Sequence, residues 1–393
     1  MRITLKNYHS LFILICLLIS SAVSAQNAQK LLKKANAFYH AYDYEQAIPL
    51  YRDVLIIDNI NEAKVNLAEC YRLTRNYEKA EYWYTQIIGD LPPDPIYKLY
   101  YAQILQSNGK CVDAQKWFLD YGKHNELGNK LAKGCDNLKS LENNKHQYDI
   151  WLLPINSEGA DFGATFFRNG LIFCSNRTDV MDGANNRFTD LFYTQKQAGN
   201  DFNPPKALNG TINSQFNDGP ICFNQFEDKA YFTRNSFFRG KKQKNQVGAI
   251  HLSIFEANLL PDGKWSDVKQ TVFQGVDDDE RTFSMAHTSL SQDGNTLYFV
   301  SDMPGGFGGL DVYMAMKRDT VWSQPLNLGA TINTAGNEVF PFVHADGSLY
   351  FASDGHAGLG GLVVFVVKKA NKKWGIPQNM GSPVNSNRDD FGI

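Results

Sequence analysis

Along the first third of the chain, small and aromatic residues recur at a fixed distance. Ala35, Ala68 and Ala102 lie 33 and 34 residues apart, as do Ala47, Ala80 and Ala114, and Tyr51, Tyr84 and Phe118. Each unit thus has one small residue where two helices must touch, then a second followed by an aromatic. Tyr44-Glu45-Gln46-Ala47 and Tyr77-Glu78-Lys79-Ala80 open the second helix of two pairs, and Asn108-Gly109-Lys110 marks the turn of a third. Self-similarity of this length predicts stacked helix pairs. Leu127, Leu131, Cys135, Leu138 and Leu141 continue at helical spacing, as a helix covering the open end of the stack.

From Trp151 the pattern becomes short alternating or apolar runs divided by Gly, Asn and Asp, which are strand and turn signals. The runs at residues 171–177, 230–234, 297–302 and 349–354 match in kind. Turns at Asp293-Gly294 and Asp346-Gly347 precede the later two, and glycine-rich links lead on to Leu310-Asp311-Val312-Tyr313 and Leu362-Val363-Val364-Phe365. Segments that open on an aromatic and close on Asn213, Asn333 and Asn385 end the units. Repeated small sheets of four strands predict a β-propeller.

The repeat also locates the closure. Ile155-Asn156-Ser157 before Asp161-Phe162-Gly163 echoes Val384-Asn385-Ser386 before Asp390-Phe391-Gly392. Residues 151–155 then read as the last strand of a blade begun by the C-terminus, and Ile393 falls inside that blade's first strand. Four full units and an incomplete one are counted. The expectation is a natural chain that continues for about a blade, roughly 40–50 residues, with a gap or distorted contact between the first and fourth units and Phe391 near the axis.

The fold class expected is multidomain, all-α plus all-β. Residues 1–25 read as a signal peptide, 26–144 as the helical domain and 147–393 as the propeller. The signal rests on Arg2 and Lys6, the apolar run from Leu11 to Ile19, and the small residues Val23-Ser24-Ala25, with Gln26 as the first mature residue. No later segment is long and apolar enough to span a bilayer. A net charge of -2 and a pI near 6.5 give no basic field for nucleic acid. Five cysteines follow the cleavage site, an odd number spread too widely for a disulfide framework. A Cys111–Cys135 bridge is open in an oxidising compartment, but buried free thiols are the reading taken.

The helical half resembles the tetratricopeptide repeat across residues 28–123. The family's concave groove implies that Asn36, Tyr39, Glu69, Arg72, Gln103 and Gln106 face a bound peptide or partner helix. The alternative for these six residues is a solvated polar face. The strand-rich half resembles the PD40, WD40-like repeats related to the TolB propeller. Signal, helices and propeller in this order resemble Bacteroidota cell-envelope proteins of the OmpA family, some of them in the type IX secretion and gliding apparatus. The family's OmpA-like peptidoglycan-binding domain has no counterpart among these 393 residues. The resemblance implies export to the periplasm and association with the outer membrane, with envelope proteins as partners.

Catalytic motifs are absent. There is no GxSxG elbow, HExxH or P-loop. The glycine clusters at residues 305–309 and 355–361 occupy the same place in successive units, as turns that need positive φ. Arg177, Asp302, Phe307 and Asp354 stand at the propeller-mouth loops, where carboxylates either hold a ligand or cap the turns. No cofactor or metal is expected. The leading reading is a non-catalytic scaffold that binds envelope proteins, with a glycan or peptidoglycan-fragment binding module as the alternative. A propeller glycosidase or lyase is the third, and hydrolysis would need two carboxylates about 5–10 Å apart. Inserts at residues 239–245 (basic) and 277–280 (acidic) are solvated loops or binding loops.

Overall fold

The computed structural model describes residues 5–90, 94–136, 141, 148–177, 188–238, 241–242, 250–277, 281–371 and 373–393. Most of the basic and acidic inserts lies outside these residues. The chain divides into two compact units, residues 1–124 and 125–393.

The first unit holds six of the seven described helices: α1 (Leu5–His40), α2 (Tyr44–Ile57), α3 (Asn61–Leu73), α4 (Tyr77–Ile87), α5 (Ile96–Ser107) and α6 (Cys111–Gly122). Consecutive helices pack as hairpins, and the sequence register explains how. Ala35, Ala47, Ala68, Ala80, Ala102 and Ala114 are all fully buried, as are Tyr51, Tyr84 and Phe118. The alanines let the helix backbones approach and the rings fill the space beside them. Asp43 and Asn76 cap α2 and α4 by accepting from the Gln46 and Lys79 amides. The turn before each second helix places Tyr42, Arg75 and Gly109 at positive φ, again one repeat apart. Only the third unit supplies the glycine that this conformation favours.

The second unit begins with α7 (Glu126–Asp136). This helix belongs with the strand-rich unit and not, as its spacing suggested, with the helical stack. Gly134 explains the association. A Cβ there would lie 2.7 Å from the Gly358 carbonyl, so only glycine lets the helix meet that loop. The glycine clusters serve close approach in the same way. Positive φ is required at Gly305, whereas Gly308 and Gly336, and Gly360 and Arg388, bring backbones together.

Four blades follow. The first comprises β1 (Asp161–Phe167), β2 (Gly170–Ser175), β3 (Asp190–Gln195) and β4 (Lys206–Ala207). The second contains β5 (Asp218–Phe223) and β6 (Lys229–Asn235), a small hairpin of β7 (Phe237–Phe238) and β8 (Lys241–Lys242), then β9 (Leu252–Leu259) and β10 (Trp265–Gln270). The third comprises β11 (Met285–Leu290), β12 (Thr296–Ser301), β13 (Asp311–Arg318), β14 (Val321–Trp322) and β15 (Leu326–Asn327). The fourth has β16 (Glu338–Val343), β17 (Leu349–Ser353) and β18 (Val363–Val367), the short pair β19 (Lys369–Ala370) and β20 (Lys373–Trp374), and β21 (Gln378–Asn379). Every main-blade ladder is antiparallel. The inner strands pack in succession, β1 on β5, β5 on β11 and β11 on β16. Phe167, Ile172, Phe232 and Trp265 fill the space between the first two blades, and Val300, Val312, Phe351 and Val363 that between the last two.

One hydrogen-bonding device recurs at the blade junctions. The Asn213 side chain accepts from the Leu191 amide at 2.8 Å and donates to its carbonyl at 3.1 Å. Asn333 holds Val312 (2.8 and 3.0 Å) and Asn385 holds Val364 (2.8 and 2.9 Å) in the same way. Between the second and third blades Arg281 substitutes, donating to the Leu252 carbonyl while Ser284 Oγ accepts from the Leu252 amide. The next residue then offers its amide to a carboxylate four positions on: Ser157 to Asp161, Ser214 to Asp218, Thr334 to Glu338 and Ser386 to Asp390. Asp161, Asp218 and Glu338 each start the inner strand of the following blade. Between the fourth and first blades, residues 391–393 and 153–156 surround a cavity of about 430 Å³. Phe391 stacks on Phe340 near the axis, at 4.7 Å between ring centroids.

Asp161 and Asp218 are paired with Arg177 and Arg234, whereas Glu338 accepts hydrogen bonds from Thr334 and from Ser353 Oγ at 2.6 Å and has Lys130 as a more distant charge partner. Burial pushes its carboxyl from an ordinary 4.5 to about 7. Folded Glu338 therefore keeps its proton where the unfolded chain has released it. Its stabilisation is full below about pH 4.5 and is lost as pH rises through 7. Glu338→Gln should flatten the melting temperature between pH 5 and 8 and gain up to about 3 kcal/mol on the wild type at pH 8. Melting curves followed by circular dichroism at each pH check this.

Candidate functional site

The inner strands meet the axis through a shared irregularity. Each carries a β-bulge, between Phe162 and Thr165, Asp218 and Ile221, Ala286 and Ser289, and Val339 and Phe342. Gly163, His287 and Phe340 adopt positive φ there, as Gly392 does at the matching place near the C-terminus. A bulge turns an inner side chain toward the axis. The His287 ring stacks on Phe340 at 4.0 Å, and Phe162 meets Phe340 edge-on at 6.3 Å. His287 Nδ1 accepts from the Phe340 amide, and burial pushes its imidazole down to about 4, so the ring is neutral at physiological pH. These rings fill the channel.

On the side of the β1–β2, β5–β6, β11–β12 and β16–β17 turns lies a cavity of about 260 Å³, lined by all four inner strands and by Gly392 and Ile393. It is a little below the usual size of small-molecule pockets. Phe166 lines it while remaining 83% exposed, and Phe226, between the lining residues Gln225 and Glu227, is 81% exposed. Both oxygens of Glu227 accept from the Arg168 amide at 2.9 Å, which ties the first two turns together. The remaining lone pairs of this carboxylate stay available. Gln225 and Thr165 line the same cavity, and neither side chain has a hydrogen-bond partner among the described residues. Asn224 is committed, accepting from the Asp228 and Lys229 amides. Cys222 also lines the cavity, but burial pushes its thiol up to about 12, which removes it as a nucleophile. Glu227 is the one carboxylate among the lining residues, so the pair used in glycoside hydrolysis is not assembled there.

The mouth residues named from the sequence lie in the loops at the starts of the inner strands and the ends of their neighbours. Arg177 is buried, paired with Asp161 at 2.8 Å and donating to the Ile155 carbonyl. Asp302 accepts from the Ser284 amide at 2.6 Å, and Asp354 from Asn337 at 2.6 and 3.0 Å. Phe307 is half exposed, with its amide on Asp311. Each carboxylate is engaged in its own blade, and the four residues do not converge on the channel cavity.

In the helical unit the six groove residues divide. Glu69 is buried, accepts three hydrogen bonds from Arg72 at 2.8–3.2 Å and also takes the Tyr84 hydroxyl. The Arg72 guanidinium lies 3.8 Å from the centre of the Tyr100 ring. Asn36 joins Glu62, Tyr51 and Asn66 in a second network. Gln106 is buried, whereas Gln103 and Tyr39 are half-buried. Burial and the nearby Glu69 raise the Tyr39 phenol, so it stays neutral. Tyr39, Tyr44, Tyr97 and Tyr100, all half-buried, give this region a tyrosine-rich surface that the repeat register revealed only in part, since Tyr97 and Tyr100 fall outside its recurring positions.

The reading of buried free thiols needs correction. Cys111 and Cys135 are both disulfide-bonded, while Cys70, Cys174 and Cys222 are free. Among the described residues, no helix is long and apolar enough to cross a membrane.

No protein family is matched by the chain, and no curated protein is matched either. Solved structures are similar in fold. A thermostable family-43 glycoside hydrolase is 11% identical, covering 58% of this chain and 77% of that one at a TM-score of 0.36. An N-acetylgalactosamine deacetylase from F. plautii, solved with blood group B trisaccharide, is 12% identical over 60% and 74% at 0.37. A Mycobacterium tuberculosis puromycin-hydrolyzing peptidase is 14% identical over 57% of this chain at 0.32, and this chain spans only 32% of its length. The helical region followed by a four-bladed propeller stands on the chain's own structure. The expectation of a chain without enzymatic activity is withdrawn, since structures of similar fold include glycoside hydrolases. The motifs sought were contiguous ones, whereas a propeller gathers side chains from turns far apart in sequence.

Arg72 is the most exposed to test among the six groove residues, because its removal strands a buried charge. Arg72→Met should cost about 3–5 kcal/mol in the stability of the helical unit, and the Arg72→Met, Glu69→Leu double variant much less. Chemical denaturation followed by helical circular dichroism separates the two.

Proposed function

We propose that the propeller is a carbohydrate-binding module whose ligand enters the cavity ringed by its four inner strands. The observation that carries this reading is the combination at one opening of an exposed ring, Phe166, with the side chains of Thr165 and Gln225, unpartnered among the described residues, and the Glu227 carboxylate already held by Arg168. A sugar ring presents apolar C–H faces and hydroxyls around its rim. An aromatic plane takes the first, and amide or carboxylate oxygens take the second. The cavity supplies both, in a groove framed by rigid strands. Glycan or peptidoglycan fragments are the ligands we favour. A glycan array followed by calorimetry on its hits should give binding that Phe166→Ala and Gln225→Ala each weaken about tenfold, equivalent to about 1.4 kcal/mol, with melting temperature unchanged. An array without hits, or affinity indifferent to both variants, counts against the site. Release of new reducing ends from a bound glycan would make the module an enzyme.

The helical unit reads as tetratricopeptide-like and the propeller as PD40-like, and in this proposal the tyrosine-rich surface around Arg72 holds a protein segment. A scaffold in type IX secretion or envelope anchoring takes second place to glycan binding. Export is supported by the charged, apolar and small-residue order of the first 25 residues and by the disulfide-bonded Cys111 and Cys135, which suit an oxidising compartment. Association with the periplasmic side of the outer membrane belongs to the same proposal. Mass spectrometry of the protein recovered from an envelope fraction should find Gln26 at its N-terminus, and an intact leader would contradict export by cleavage.

A further inference from the structure

Three of the inner hairpin turns share one backbone geometry and differ at one residue. Gly294 and Gly347 take positive φ in the third and fourth blades, and each donates its amide to the carbonyl three residues back, Ser291 at 2.8 Å and His344 at 2.9 Å. Glu227 stands at that place in the second blade, with φ 54° and its amide on the Asn224 carbonyl at 2.9 Å. Glycine takes this conformation freely, whereas a longer side chain is strained there, and such strain gathers at functional sites. The Glu227 carboxylate is half-buried and lines the cavity of about 260 Å³. Its two oxygens share one N–H, that of Arg168. Tying the two turns together needs only an acceptor, which glutamine would supply without a charge. The Arg168 guanidinium lies over the Phe167 ring, 5.1 Å from its centre, and among the described residues Glu227 has no ion-pair partner. No lysine or arginine lines the cavity, and the His287 ring is neutral. One negative side chain thus faces the opening beside the exposed Phe166 ring, with no cation on the wall to balance it.

We propose that the ligand of this opening is an amino sugar with a free amine, a hexosamine unit whose ammonium group is bound by Glu227 while its ring lies on Phe166. This rests on the reading of the cavity as a carbohydrate site and narrows the class of sugar. An ammonium group brings three donors and a positive charge. The lone pairs that the Arg168 amide leaves free accept one of those donors as a charge-assisted hydrogen bond, which is stronger than a bond between neutral groups. The faces of the exposed Phe166 and Phe226 rings favour a cation near them in addition. Thr165 and Gln225 remain for the hydroxyls. N-acetylation removes the charge that Glu227 would bind. A uronic acid brings a second negative charge to a wall without a cation to receive it.

The test is calorimetry on the whole protein with three trisaccharides, those of glucosamine, N-acetylglucosamine and galacturonic acid. The glucosamine trimer should bind about tenfold tighter than its N-acetylated form, as a hydrogen bond to a charged group is lost between them. The acidic trimer should give no binding heat, and the preference for the free amine should shrink as sodium chloride is added. Glu227→Gln keeps an acceptor for the Arg168 amide and should bring the first two trimers level. Glu227→Gly should do the same, and because the sister turns carry glycine it keeps the turn, so lost charge is separated from lost fold. Equal affinity for the amine and its N-acetylated form, or a preference that survives Glu227→Gln, overturns this inference and leaves glycan binding standing. Trilysine bound as tightly as the glucosamine trimer also overturns it, since the amine is then read without the sugar. Binding of none of the three trimers overturns it as well, and the glycan array then decides the wider reading.

Discussion

A side-chain amide that reaches across to one strand residue, and a carboxylate that catches the next backbone amide, set the geometry from which the propeller follows. Asn213, Asn333 and Asn385 each satisfy a buried N–H and a buried C=O that would otherwise face a neighbouring blade. Leaving such groups unpaired costs about 1–3 kcal/mol apiece. The same few residues fix where the chain leaves one blade and where Asp161, Asp218 or Glu338 begins the next inner strand. Registration between blades is thus written in local hydrogen bonds, and packing of Phe232, Val300 or Phe351 fills in around it.

The axis inherits its form from that device. An inner strand pinned at its first residue bulges two residues later, and the bulge points His287 and Phe340 inward to stack. The plug they form with Phe391 closes the channel at that level. What is left open is the end ringed by turns, where residues differ from blade to blade. Repetition builds the frame, and departures from repetition, such as Phe166, Gln225 and Glu227, supply chemistry to one opening. The charge partners follow the same rule. Arg177 and Arg234 pair with two of the starting carboxylates, yet burial pushes Asp218 up as it does Glu338.

The parts legible in the sequence were those that recur. Six alanines and three aromatics gave the helix hairpins, and the Asn-Ser pattern gave the blades and placed Phe391 near the axis. The parts that do not recur were hidden. Arg281 replaces asparagine at one junction, so no spacing announces it. The association of α7 with the strand-rich unit turns on Gly134, a single glycine without a counterpart. The channel cavity draws on residues 166, 225 and 288, from three different blades, that no contiguous motif could join. Arg72, chosen as a groove residue from its register, is half consumed by Glu69, because one helix turn brings the two side chains together. Asp302 and Asp354 were legible as either ligands or turn caps, and both accept loop amides.

The claim on which this account of function rests is that ligand recognition occurs at the opening built by the four inner strands. Amide hydrogen exchange, read by mass spectrometry with and without a saturating glycan, tests it most directly. The account predicts slowed exchange confined to residues 163–168, 220–227, 287–290 and 340–343, with the helical unit unchanged. Protection on the loops around Asp302 and Asp354, or none on the four inner strands while binding is saturated, would contradict it.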